Sequence, residues 1–253
     1  MQLFNPLLRW AMLRPMERIE QFVKLPYETQ NTVLMNLVAS AKHTEWGKKH
    51  NYGEIRHYED FRQRVPTSTY EEIFPYIERM MRGEQQILWH SPIHWFSKSS
   101  GSTNARSKFI PVSKESLEQT HFRGGRDLIA LYLHQQPQSQ ALWGKSLSIG
   151  GTFQQSEDTQ GIYYGDVSAV VAQNLPFWAQ WLRAPSLQIA HMKNWEEKIE
   201  KMAEESIRTK ITSLTGVPTW MIVLLQRVLE MTGKKHVKEV WPGLEVFFHG
   251  AVA

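Results

Sequence analysis

Apolar residues recur at helical spacing through the first ninety positions. After Pro26, the residues Val33, Leu34, Leu37, Val38 and Ala41 share a face, with Gln30, Asn31 and Asn36 opposite. This i, i+4, i+8 stripe predicts an amphipathic helix, and Gly47 offers a stop. A second short helix is expected over residues 58–64. It ends at Val65-Pro66, because proline pushes the residue before it out of the α region. Ser68 with Glu71, and Thr69 with Glu72, form two overlapping capping boxes. The helix they open turns Ile73, Ile77, Met80 and Met81 inward and stops at Gly83, with Pro75 tolerated near its first turn.

From residue 87 the texture changes. Ile93–Ser97 and Lys108–Val112 are short runs of aromatic and branched residues, the pattern of strands. Ser113 can cap a helix to about His134, with Leu117, Leu128, Leu131 and Tyr132 apolar, before a Gln-rich loop at 135–140. Ser146–Ile149 reads as a strand ending at Gly150-Gly151. Asn194 and Glu197 form another capping box; its helix carries Trp195, Ile199, Met202, Ala203 and Ser206 on one face, with Glu197 and Lys201 paired on the other. Lys210–Leu214 is extended, Trp220–Met231 is an apolar helix closed by Gly233, and Leu244–Phe248 is a final strand. Strands alternating with helices predict an α/β fold: a helical N-terminal segment over 1–90, then mixed β-sheets flanked by helices over 91–253.

Composition narrows the function. Among 253 residues, 42% are hydrophobic and 21% charged, too apolar for a disordered chain and too charged for a polytopic membrane protein. The longest apolar stretch, Met221–Leu225, falls far short of the ~20 residues a membrane span needs. Zero cysteines exclude disulfides, Cys-ligated zinc, iron–sulfur clusters and thiol catalysis. Pro6, Arg9, Arg14, Pro15 and Glu17 interrupt any signal-peptide core, so a cytoplasmic location is expected. The net charge of +4 is spread along the chain without a basic run, so it favours anionic ligands only weakly and says little about nucleic acid; no nucleic-acid or membrane partner is expected.

The stretch most suggestive of chemistry is Ser99-Ser100-Gly101-Ser102-Thr103-Asn104-Ala105-Arg106-Ser107-Lys108, set between two strands. Small residues let backbone N–H groups approach a phosphate, hydroxyls add donors, and Lys108 adds a point charge. It is not a Walker A loop, since no GxxxxGK[ST] occurs and a strand follows instead of a helix. On small-residue content alone, a solvated Ser/Thr turn in a hairpin is the simpler reading.

SSGSTNARSKFIPVS resembles the phosphate-binding loop of adenylate-forming enzymes, the superfamily of acyl-CoA synthetases and firefly luciferase. TEWGKK at 44–49, the block at 61–88, GVPTW at 216–220 and EVWPGLEVFFHG at 239–250 resemble the Gretchen Hagen 3 acyl-acid amido synthetases, the auxin-responsive family of plants with bacterial relatives. The resemblance implies a two-step ligase. ATP, with Mg2+, and a carboxylic acid give an acyl-adenylate and pyrophosphate; an amino acid then displaces AMP to form an amide. It further implies that Ser99, Ser100, Gly101, Ser102, Thr103 and Lys108 hold the phosphates, and that Gly250 and Ala251 run past the adenine. Thr219 and Trp220 would line the acyl pocket, although Trp220 as plain core is the simpler reading. The family often has Thr where Ser102 stands and Gly where Ala105 stands. Its metal- and ribose-binding motifs and its C-terminal lid domain have no counterpart before Ala253, so the chain is expected to be the N-terminal part of the large adenylation domain, inactive alone, with catalytic residues not assignable. Its last strand is expected to leave a sheet edge open to a homodimer. The alternative is a non-catalytic nucleotide- or anion-binding module.

Among other features, His90 and His94 are separated by Pro92, which argues against a helical metal pair. Gly124-Gly125 reads as a tight packing contact or a kink, Asp166 as an N-cap, and His249 as a packed strand-end histidine.

Overall fold

The computed structural model describes residues 4–99 and 107–250. Ser100, Gly101, Ser102, Thr103 and Ala251 lie outside the described residues.

Six helices come first: α1 (Phe4–Leu13), α2 (Pro15–Lys24), α3 (Pro26–Ala41), α4 (Glu45–Lys49), α5 (Tyr58–Arg64) and α6 (Tyr70–Met81). In α6 one of the two predicted capping boxes forms. Thr69 Oγ1 accepts from the Glu72 N–H at 3.3 Å, and Glu72 Oε2 accepts from the Thr69 N–H at 2.6 Å. The helix starts at Tyr70, which leaves Ser68 one residue outside the cap and its box unformed. The stripe of α3 is split. Val38 and Ala41 are buried, whereas Val33 and Leu37 are exposed. These two line an open cleft of about 510 Å³ with Ile19 and Phe22 of α2.

The strand-rich part begins with the hairpin β1 (Trp95–Lys98) and β2 (Phe109–Val112). The helix expected from Ser113 is interrupted: α7 (Lys114–Ser116) passes into a π-helical turn (Leu117–Phe122) before α8 (Arg123–Gln135). A π turn takes up extra residues and shifts the phase of the face beyond it. The buried positions of α8 are accordingly Ala130 and Leu133, and Leu128 and Leu131 are exposed. Gly124 and Gly125 are not tight contacts; a Cβ on either would meet nothing within 4 Å.

Next come β3 (Lys145–Ser148), β4 (Phe153–Gln155), β5 (Tyr163–Gly165), α9 (Val167–Gln173), α10 (Phe177–Gln180), β6 (Arg183–Ala184) and α11 (Leu187–Ala190). The chain continues through α12 (Trp195–Ile207), β7 (Ile211–Gly216), α13 (Pro218–Thr232), α14 (Val237–Val240) and β8 (Val246–His249). The chain divides into two compact units. One, the hairpin unit, comprises Pro15–Asp127 and Gln154–Val167; the other, the parallel-sheet unit, comprises Met1–Arg14, Leu128–Phe153 and Ser168–Ala253.

In the hairpin unit the sheet order is β2-β1-β5-β4, with β1 antiparallel to β2 and parallel to β5. Ile77, Met80, Ile87, Ile93, Phe96 and Ile162 form its core. In the parallel-sheet unit the order is β6-β3-β7-β8, with β3 parallel to β6 and β7, and β7 parallel to β8. Its core takes Leu147, Ile211 and Leu214 from strands, and Met202, Met221, Leu224 and Val228 from helices. Trp195 departs from the predicted inward face of α12 and is partly exposed. Lys201 pairs with Glu204 at 2.9 Å, not with Glu197. Gly216, which closes β7, has φ +147°, and a Cβ there would lie 2.8 Å from the Ile149 carbonyl oxygen. Both the backbone conformation and the close approach require glycine. Among the described residues, no helix is long and apolar enough to cross a membrane.

Candidate functional site

The Ser/Thr/Gly stretch is the connection of the β1–β2 hairpin. Its base is closed by the Ser99 N–H, which donates to the Lys108 carbonyl at 2.9 Å. Ser99 and Lys108 are both half-buried. Tyr70, the first residue of α6, grips the exit of the loop. Its hydroxyl accepts from the Phe109 N–H at 2.8 Å and donates to the Phe109 carbonyl at 3.3 Å. The Lys108 ammonium lies over the Tyr70 ring, 5.0 Å from its centroid.

The family-like blocks fix this arrangement. In TEWGKK, the Glu45 and Trp46 N–H groups donate to the Gln86 and Ile87 carbonyls at 2.9 and 3.0 Å. Glu45 is held by both terminal nitrogens of Arg79, at 2.9 and 2.8 Å, and Arg79 Nε also reaches Glu84 at 2.9 Å. Trp46 packs edge-to-face on Tyr76, whose hydroxyl accepts from Lys49 at 2.8 Å. α6 is thereby fastened on one side by the first block, and through Ile77 and Met80 it shares a core with Ile93 and with Phe96 of β1. On the far side of β2, Glu115 of α7 accepts from Trp89 Nε1 at 3.0 Å and Ser91 Oγ at 2.7 Å. Burial raises the Glu115 pKa, but the hydrogen bonds from Ser91, its own backbone, Trp89 and Ser113 outweigh it and hold the carboxyl at about 2.

The other sequence candidates belong to the parallel-sheet unit. Thr219 is exposed at the start of α13. Trp220 packs half-buried against that unit's core, edge-to-face with Trp195 at 5.5 Å. Gly250 follows β8 directly, and His249 is exposed, its ring tilted against Phe247.

Sequence reasoning missed two features. Tyr70 was legible only as the residue after a helix cap; its partner Phe109 lies 39 positions away. Lys198 is buried within α12, and its Nζ donates to the Gly150 carbonyl at 2.7 Å. Its signal is positional, since Lys198 stands at i−4 from Met202 on the apolar stripe. Nearby, Arg183 Nη2 donates to Ser148 Oγ at 2.9 Å, and both ring nitrogens of His191 are buried without a protein hydrogen-bond partner among the described residues. Burial, then the charges of Arg183 and Lys198, push the His191 pKa below its ordinary 6.5. Below that value the unfolded chain protonates His191 and the folded one resists, so the unfolded state binds more protons and stability drops as pH falls. Urea denaturation at about pH 7.5 and about pH 5.5 is expected to show this loss, and His191→Gln should reduce it.

Among the described residues, no group of three or more His, Asp or Glu side chains is placed to hold a metal ion.

The family model for the GH3 family N-terminal domain matches residues 15–253. The chain belongs to the GH3 family. It is 29% identical over 160 residues to the indole-3-acetic acid-amido synthetase GH3.15 of Arabidopsis thaliana, covering 63% of this chain and 26% of that protein. It is 30% identical over 114 residues to the jasmonoyl–L-amino acid synthetase JAR4 of Nicotiana attenuata, covering 42% of this chain and 19% of that protein. The solved structure of GH3.15 acyl acid amido synthetase aligns with a TM-score of 0.72 at 17% identity, over 91% of this chain and 50% of that one. Its complex with 2,4-DB aligns with a TM-score of 0.74 at 17% identity, over 96% of this chain and 50% of that one. That likeness is one of fold. The chain spans half the length of those structures and a smaller share of the curated GH3 relatives it aligns with. The GH3 match takes in the hairpin, Tyr70 and the TEWGKK and GVPTW blocks.

Proposed function

We propose that this chain is the N-terminal part of the large adenylation domain of an ATP-dependent acyl-acid amido synthetase, with the lid domain supplied by sequence outside it. The observation that carries the reading is the hairpin loop: Ser, Thr and Gly at 99–103, a base closed between Ser99 and Lys108, and a lysine at its exit. In the first step a carboxylate oxygen attacks the α-phosphorus of ATP, the bond to the bridging oxygen breaks, and pyrophosphate leaves. Negative charge grows on the transferring and departing phosphates. Preorganised N–H, hydroxyl and ammonium donors stabilise that charge more than the ground state. Ser99, Ser100, Gly101, Ser102, Thr103 and Lys108 take this role. In the second step the amino acid's amine attacks the acyl carbon and loses a proton, and AMP leaves with the bonding pair.

In the same reading Gly250 and Ala251 pass the adenine, and Thr219 and Trp220 line the acyl pocket. Mg2+, when bound with ATP, would neutralise charge on the phosphates, and it needs few protein ligands beyond them; among the described residues no group of three or more His, Asp or Glu is placed to hold it. The cysteine-free composition accords with a cytoplasmic setting, and the same reading has the chain self-associate through β8, which ends the order of its sheet among the described residues.

The test is product analysis with the full-length protein. Incubation with ATP, a panel of aromatic and aliphatic acids and a mixture of amino acids should yield an amide, with AMP and not ADP as the nucleotide product. Formation of ADP, or of no acid-dependent nucleotide product across the panel, would overturn the reading.

A further inference from the structure

We propose that Tyr70 is a positioning residue for the nucleotide loop, setting both the backbone at the loop's exit and the place of the Lys108 ammonium. The proposal rests on the reading that residues 99–108 hold ATP. It starts from the register of the hairpin. Ser99 and Lys108 meet through a backbone hydrogen bond, and Lys98 opposes Phe109. Hydrogen-bonded and non-hydrogen-bonded pairs alternate along an antiparallel ladder, so the Phe109 N–H and C=O point away from β1. Among the described residues β2 ends the order of its sheet, and no strand beside it takes up those two groups. The Tyr70 hydroxyl takes up both, at 2.8 and 3.3 Å. One hydroxyl thus satisfies both backbone groups at the residue where the loop ends.

The ring acts on the next residue back. Lys108 has a long flexible stem, and ordering it on a phosphate costs rotamer freedom. Its ammonium already sits over the Tyr70 face, 5.0 Å from the centroid, where the ring quadrupole attracts a cation. The platform is itself rigid. Tyr70 is the first residue of α6, directly after the Thr69–Glu72 capping box, and its ring packs on Phe74 at 5.6 Å. Hydroxyl and ring therefore act on two separable targets, Phe109 and Lys108.

The experiment is a mutant cycle on the full-length protein, reading KM for ATP and kcat in acid-dependent pyrophosphate exchange, with a melting temperature for each variant. Tyr70→Phe keeps the ring and loses the hydroxyl; KM should rise by about fivefold, as for loss of hydrogen bonds to neutral groups. Tyr70→Leu loses the ring too, and KM should rise by about a further threefold, the size of an exposed cation–π contact. In a Lys108→Ala background the step from Phe to Leu should vanish, while the hydroxyl step persists. Tyr58→Phe, which removes the hydroxyl of an exposed tyrosine on α5, should leave KM unchanged. An equal Phe-to-Leu loss in both backgrounds makes the ring merely structural and overturns the proposal. Wild-type KM in both Tyr70 variants, with Lys108→Ala impaired, overturns the proposal and leaves the loop reading standing. Wild-type exchange in Lys108→Ala overturns the loop reading and the proposal with it. Should Tyr70→Leu fail to fold, an unchanged KM in Tyr70→Phe is sufficient to reject the role.

Discussion

Lys108→Ala in the full-length protein should slow acid-dependent pyrophosphate exchange by ~10²–10³-fold, the loss typical of removing one preorganised donor at a charge-developing centre. Lys108 is half-buried at the loop exit, and among the described residues its ammonium lies over the Tyr70 ring, so removing it should leave the melting temperature nearly unchanged. That separation matters, because a loss of exchange without a loss of fold assigns the effect to chemistry. Thr103→Ala should act in the same direction, since the hydroxyl is lost while the backbone N–H remains. Lys49 provides the control. It too carries an ammonium near aromatic rings, at 5.4 Å from Trp46 and 5.3 Å from Tyr76, but it lies on α4, away from the loop's sequence. Lys49→Ala should retain exchange within a factor of about two, since surface substitutions usually change little. Equal losses in the two lysine variants would mean that general positive charge, not the loop, carries the effect.

Gly47→Ala should destabilise the protein by about 3 kcal/mol or more, an overpacking cost at the upper end of the usual range. A Cβ on Gly47 would fall 2.1 Å from the Ala41 carbonyl oxygen and 2.9 Å from its carbon. Both are backbone atoms, which cannot swing aside as a side chain would. The turn is also tied by buried Thr44, whose Oγ1 donates to the Ala41 carbonyl at 2.7 Å and accepts from the Gly47 N–H at 3.0 Å. Relief of the clash would break that pair and disturb the strand-like bonds from Glu45 and Trp46 to Gln86 and Ile87. Gly124→Ala is the counterpart. A Cβ there meets nothing within 4 Å, and alanine favours the helix by up to about 1 kcal/mol over glycine. Denaturant titration of both variants checks the pair. A Gly47→Ala protein as stable as Gly124→Ala would refute the packing account of the TEWGKK block.

The contrast between these glycines shows what the sequence could convey. Local rules worked where the determinants are local. Val65-Pro66 marks the end of α5, Thr69 and Glu72 start α6, and Gly233 at φ +64° closes α13. The extended runs flanking the loop are the hairpin strands. Periodicity failed where the backbone left the α-helix. The π turn at Leu117–Phe122 has no compositional mark, and it moved the buried positions from Leu128 and Leu131 to Ala130 and Leu133. The α3 stripe misled for a different reason: Val33 and Leu37 are apolar but line an open cleft. In the site, residue types were readable and contacts were not. The Ser/Thr/Gly run and Lys108 suggest a phosphate loop through the family resemblance, whereas small-residue content alone favours a solvated turn. Tyr70, Glu115 and Lys198 take their roles from partners 39, 26 and 48 positions away, which spacing along the chain cannot reveal.

The central claim is the proposal that the loop serves a carboxylate-activating site and not a passive anion turn. Acid-dependent exchange of labelled pyrophosphate into ATP by the purified full-length protein, screened over aromatic and aliphatic carboxylates, tests that claim most directly. The account predicts exchange with at least one acid, absent without acid and lost in Lys108→Ala. ATP binding without exchange under any acid, or exchange that survives Lys108→Ala undiminished, would contradict it.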